Sequence, residues 1–228
     1  MYYPRPGDYI DIHNHDALPV SDIFILDNLM AHEGKLPDHN SGMNYSMGIH
    51  PWFLNESNQN QLFEFVNQNT SDEAITAIGE AGFDKLKGPS MSLQRSVFEQ
   101  QAVLSEKLGK PMVIHCVKAW EELISSHKKL KPKMPWLVHG FRGKTELALQ
   151  LISRNMFISF WFDFVIRPEA AELIRSLPSD RIFLETDGSG ADIREIYKKV
   201  ADDLHISIVE LQNQLLLNYN NIFKIRGK

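Results

Sequence analysis

Tyr9-Ile10-Asp11-Ile12-His13-Asn14-His15 is a short apolar run that ends in two imidazoles, and four later stretches repeat its plan. Ala77-Ile78-Gly79 leads into Glu80, Met112-Val113-Ile114 into His115, Trp136-Leu137-Val138 into His139, and Ile182-Phe183-Leu184 into a segment closed by Asp187. Each run has the length of a buried parallel strand. One His-x-His pair means little alone. Six hard ligands at the carboxyl ends of such strands would instead point into one mouth, as at the catalytic face of a (β/α)8 barrel.

Working outward, strands are predicted at about 9–13, 44–49, 74–80, 111–115, 135–139, 156–160 and 181–187. Helices are predicted at 56–69, 91–108, 118–128, 144–154, 168–177, 192–204 and 207–219, the last with Ser207 as its N-cap. This β/α alternation implies a parallel sheet covered by helices. Ile23-Phe24-Ile25-Leu26 reads either as the second strand or as part of a helix over 21–32. Only about seven residues separate it from His15, too few for a helical crossover. The expected fold is thus an α/β, TIM-type (β/α)8 barrel, distorted and shortened near its first two strands.

Composition sets bounds around that reading. The 228 residues suit a single domain, 1–228, and 43% hydrophobic content with scattered charge describes an ordinary globule. The N-terminus lacks a basic segment followed by an apolar core, and no stretch approaches 18 apolar residues, so a cytoplasmic protein without a membrane partner is expected. Nothing points to an obligate protein partner. Cys116 is the only cysteine, which excludes an internal disulfide; alternation turns it away from the face of His115. The net charge of −5 argues against a broad nucleic-acid-coating surface, though not against an enzyme that acts on a strand end.

Alternation also places His13 and His15 on one face of the first strand. Imidazole with carboxylate suits zinc, manganese or a similar ion, and the lack of clustered thiols argues against a purely structural zinc site. With Gly48-Ile49-His50-Pro51, Gly79-Glu80-Ala81-Gly82-Phe83-Asp84, Ile114-His115-Cys116, Val138-His139-Gly140-Phe141-Arg142-Gly143 and Leu184-Glu185-Thr186-Asp187, the chain resembles the TatD-type metal-dependent deoxyribonucleases of the amidohydrolase superfamily. The resemblance runs from about residue 8 to 224. It implies two divalent ions (Zn, Mn or Mg), one held by His13, His15, Glu80 and Asp187, the other by Glu80, His115 and His139, with Glu80 bridging. It also implies catalytic roles for Asp187, Glu80 and His50, the last at the substrate. Asp84 would either support the site or cap the next helix, and Glu185, of the same strand parity as Asp187, would orient ligands.

The chain departs from the family pattern where substrate would bind. Gly188-Ser189-Gly190 replaces a small residue, Pro and an aromatic; Val117 and Lys118 occur after His115 where Arg-Asp or Arg-Glu is common. Lys85, Lys87, Lys118, Arg142, Lys144 and Arg167 follow strand ends, as do Trp52, Phe53, Phe83, Phe141, Trp161 and Phe162, which suits phosphates and stacked bases at a rim. Lys118, Arg142, Trp52, Trp161 and Asp84 are the substrate contacts expected. The implied function is hydrolysis of single-stranded or frayed DNA ends by a metal-activated water. The alternatives are hydrolysis of a small cyclic amide or lactone, and a metal-binding regulatory protein without turnover.

Overall fold

A computed structural model describes residues 2–223; Met1 and 224–228, parts of the expected 1–228 domain, lie outside the described residues. The strands are β1 (Tyr9–Asn14), β2 (Ile23–Met30), β3 (Asn44–Gly48), β4 (Ile75–Asp84), β5 (Met112–Val117), β6 (Trp136–Val138), β7 (Met156–Phe160) and β8 (Ile182–Leu184). They form one sheet in chain order, with β1–β2, β3–β4, β4–β5 and β7–β8 parallel. Beyond β8 the chain returns to β1: the Asp187 N–H donates to the His13 carbonyl at 3.1 Å, and the Thr186 N–H and hydroxyl both donate to Asp11. The fold is the (β/α)8 barrel.

The helices are α1 (Gln59–Asn69), α2 (Met91–Leu108), α3 (Trp120–Leu130), α4 (Thr145–Ile152), α5 (Phe162–Val165), α6 (Ala170–Ser176), α7 (Ile193–Leu204) and α8 (Ile208–Phe223). The seven predicted helices are all there; the four-residue α5 is additional. The segment 21–32 holds strand β2 rather than a helix, because Phe24 through Leu29 are all buried, and a surface helix would leave one side in water. Neither residues 15–22 nor 31–43 form an α-helix, and the latter hold only a 3-10 turn at Ala31–Glu33. The irregularity expected near the first two strands is therefore the loss of two helical crossovers. Among the described residues no helix is long and apolar enough to cross a membrane.

Contacts divide the chain into two compact units. One comprises Asn28–Asn40 and Asn44–Leu137; the other comprises Tyr2–Asp27, Ser41–Met43 and the chain from Val138 onward. In the first, α2 starts at the N-cap Ser90, whose hydroxyl accepts the Leu93 N–H, and ends at Gly109 in the left-handed region. It buries Val97, Phe98, Ala102 and Leu104, and truncating Phe98 to Ala would cost about 3–5 kcal/mol. Every residue of β4 is buried. Gly82 lets β4 lie close to β5, since a Cβ there would stand 1.9 Å from the His115 carbonyl oxygen.

In the second unit, the Tyr197 hydroxyl on α7 accepts the Ile10 N–H at 2.9 Å and donates to the Ile10 carbonyl at 3.2 Å, tying the helix to β1. The Asn218 amide on α8 donates to the carbonyls of Ser179 and Ile182. The β1–β2 ladder slips between Asp11↔Ile25 and Asn14↔Asp27, which leaves Ile12 and His13 opposite Leu26 alone. One extra residue turns the strand. Asp11 accordingly lines a cavity of 230 Å³ with Ile23, Ile25, Thr186 and Arg194, while His13 turns to Asp187.

Candidate metal centre

In the first unit, β4 and β5 bring Glu80 and His115 together, and the turn after β3 adds His50. The His115 Nδ1 lies 2.8 Å and the His50 Nε2 3.1 Å from the same oxygen, Glu80 Oε1. The Glu80 N–H donates to Asn28 Oδ1 at 2.8 Å, so the polar residue inside the apolar run of β2 fixes the strand that carries the carboxylate. Asp84 lies on the other side of His115, with its Oδ2 3.3 Å from Nε2. Burial pushes the Asp84 carboxyl up, but hydrogen bonds from Trp52, Leu86 and His115 outweigh it, and the net shift is downward. Asp84 does not cap α2, a role taken by Ser90.

In the second unit, β1 supplies His13 and His15, with ring centroids 4.8 Å apart, edge to face. Their Nε2 atoms stand 3.6 Å and 3.5 Å from Asp187 Oδ1. His139, after β6, places Nδ1 3.5 Å from Glu185 Oε1, and its ring centroid is 4.3 Å from that of His13. Glu185 is fully buried and accepts from the Gly140 N–H and the Ser159 hydroxyl. Ser159 is a site residue that sequence reasoning missed; its signal was a lone polar side chain inside Phe157-Ile158-Ser159-Phe160. Burial pushes the Asp11 carboxyl up to about 7, against bonds from Thr186 and Asn14 that favour its ionised form.

These donor sets fit a divalent cation. An ion about 2.1 Å from each ligand holds neighbouring ligand atoms roughly 3.0–3.4 Å apart. The 3.5 Å and 3.6 Å imidazole–carboxylate separations are near that edge and longer than an ordinary hydrogen bond. His13–His15–Asp187, His50–Glu80–His115 and His139–Glu185–Asp187 each gather three ligand atoms within 4.8 Å.

The expected substrate contacts divide. Lys118 and Arg142 are exposed, and the Arg142 guanidinium covers the half-buried Trp161 ring at 4.6 Å. Trp52 is 40% exposed, with Lys87 Nζ 3.8 Å from its ring centre, whereas Asp84 is buried. Phe83 and Phe141 are core residues rather than rim: β4 continues to Asp84, past the predicted end at residue 80, and packs Phe83 against Phe98. Lys85 is held by Glu122 at 3.1 Å.

A family profile described as TatD related DNase matches residues 34–224. The 3'-5' ssDNA/RNA exonuclease TatD of Edwardsiella piscicida is 27% identical over 157 residues, covering 67% of this chain and 60% of that protein. The human 3'-5' RNA nuclease TATDN2 is 31% identical over 168 residues, 70% of this chain and 22% of the relative. The chain spans only part of the length of the curated relatives it matches, 57% in a Bacillus subtilis metal-dependent hydrolase. Among solved structures, YJJV, a TatD homolog from Escherichia coli, superposes with a TM-score of 0.81 at 19% identity, covering 97% of this chain and 100% of that one.

Proposed function

Since the chain belongs to the TatD related DNase family, we propose that it is a one-domain, divalent-metal-dependent phosphodiesterase that hydrolyses single-stranded or frayed DNA ends. The observation that carries this reading is the pair of imidazole–carboxylate separations at Asp187, set for a cation. Relatives whose names specify single-stranded DNA and RNA support the substrate class.

We propose two ions, with His13, His15 and Asp187 as ligands of one, Glu80 and His115 as ligands of the other, and His139 as the sixth ligand residue. Zinc, manganese and magnesium all suit this donor set. Such ions supply an acidified water and stabilise charge on the leaving oxygen. The chain's own residues do the rest. Asp187 has a second carboxylate oxygen with which to take the proton of the attacking water. Glu185 holds His139 and the Gly140 turn in place. Lys118 and Arg142 are free to meet phosphates, and Trp161 backs the latter. The carbonyl-substrate and non-enzymatic alternatives gain no observation of their own.

The test is a hydrolysis panel with magnesium, manganese and zinc over end-labelled single- and double-stranded DNA, RNA, phosphomonoesters and lactones. Release of nucleotides from single-stranded ends, abolished by chelator and lowered at least about a hundredfold by Asp187→Asn, is the expected result. Turnover of a lactone with none of any phosphodiester would overturn it.

A further inference from the structure

Two histidines meet one oxygen of Glu80, and their other partners give them different work. His50 Nδ1 accepts the Trp52 backbone N–H at 3.1 Å, so the proton of this imidazole resides on Nε2 and donates to Glu80 Oε1. A nitrogen that carries a proton offers no lone pair. His50 therefore steadies the carboxylate rather than joining it as a ligand, although it stands in the same group.

His115 is set the other way by the side chain of the same tryptophan. An indole N–H can only donate, and Trp52 Nε1 donates to Asp84 Oδ2 at 2.6 Å. The other oxygen, Oδ1, accepts the backbone N–H groups of Leu86 at 2.7 Å and Lys87 at 3.0 Å. Asp84 is thus an ionised acceptor held by three donors, and the His115 Nε2 that faces Oδ2 at 3.3 Å brings the fourth. With its proton there, the lone pair lies on Nδ1, where its 2.8 Å approach to Glu80 Oε1 would be repulsive unless the two atoms share a cation. Carboxylate partners on the far nitrogen are how metal-bound imidazoles are oriented and made more basic.

We infer that Trp52 and Asp84 are positioning residues that assign the protons of His50 and His115, leaving His115 Nδ1 to a cation and His50 Nε2–H to Glu80. This rests on the metal reading above. Asp84 takes a supporting place behind the ligand instead of contacting substrate, and Trp52 joins the exposed rim to the buried group.

The test uses the full chain with histidine nitrogens labelled, followed by NMR, and zinc affinity measured against a competing chelator. Asp84→Asn can keep the bonds to Leu86 and Lys87 but presents an amide donor to His115, which should move the imidazole proton to Nδ1. Zinc affinity at that group should then fall about 10–100-fold. Trp52→Phe keeps the ring and removes only the N–H, so a smaller loss in the same direction is expected, and it decides the matter if the Asp84 variant fails to fold. A purely structural role would lower the melting temperature and leave the tautomer and affinity unchanged, which overturns the inference. Wild-type protein whose His115 nitrogens do not respond to zinc overturns the cation reading of this group and the inference with it. Zinc binding by wild type and variants alike overturns the inference alone.

Discussion

Two buried charges occupy the β4–β5 region of one unit, and they are treated differently. Lys110, 3% exposed, precedes β5 and directs its ammonium at the carbonyls of Thr70, Asp72 and Ile75. Three N–H bonds meet three fixed backbone acceptors, and the group has no chemistry left to offer. Glu80, also 3% exposed, shares one oxygen between two side-chain nitrogens that other residues set in place. A charge that only fastens loops is satisfied by backbone; a charge kept for a ligand is surrounded by side chains whose protons are assigned from outside.

The largest effect that could break this contrast is on turnover. Glu80→Gln should lower hydrolysis about a hundredfold or more, with loss of bound metal by elemental analysis. The metal-free variant should melt no lower than metal-free wild type, because a buried charge has gone. A fall in melting temperature without loss of metal would make Glu80 a fastening charge like Lys110.

The next effect is on stability. Lys110→Met strips three carbonyls, two of them buried, of their donor, which should cost about 3 kcal/mol or more and lower the melting temperature by roughly 6–12 °C. Zinc affinity of the folded variant should match wild type. Weakened zinc binding would show that the two regions are not separate.

The smallest effect calibrates the other two on a helix start in the second unit. The Ser207 hydroxyl accepts the Glu210 N–H, and the Glu210 carboxylate accepts the Ser207 N–H and hydroxyl, a capping box for α8. Ser207→Ala should cost about 1 kcal/mol in chemical denaturation. The bonds from the Ser207 backbone and side chain hold the Glu210 carboxyl below its ordinary value. Its contribution is therefore complete above the ordinary glutamate pKa and lost as pH falls through the lowered one. The gap between wild type and Glu210→Ala should close in acid; a gap that persists there would place the stabilisation elsewhere.

Much of the barrel was legible because its signals are local. Each apolar run is a strand by length, and each candidate ligand stands in or after one, so His13, His15, Glu80, His115, His139 and Asp187 could be named as candidates without coordinates. What depended on distant partners could not. The crossover lengths around Ile23–Met30 left a strand and a helix equally open, and burial on both faces decided for the strand. Phe83 and Phe141 follow predicted strand ends, yet position along the chain does not say which way a ring points, and both lie in the core. The proton positions of His50 and His115 come from Trp52 and Asp84, residues whose bonds no spacing rule announces.

His13 takes its direction from one unmatched residue in β1, so descent at this spot proceeds in whole residues. An even ladder through Ile12 would put His13 on the side that Asp11 now occupies, because residues two apart on a regular strand share a face. Point substitutions can drift there in small steps, while length cannot. The helix-free stretch 34–43 carries no such count, and it is there that lineages of this fold are at liberty to lengthen or shorten.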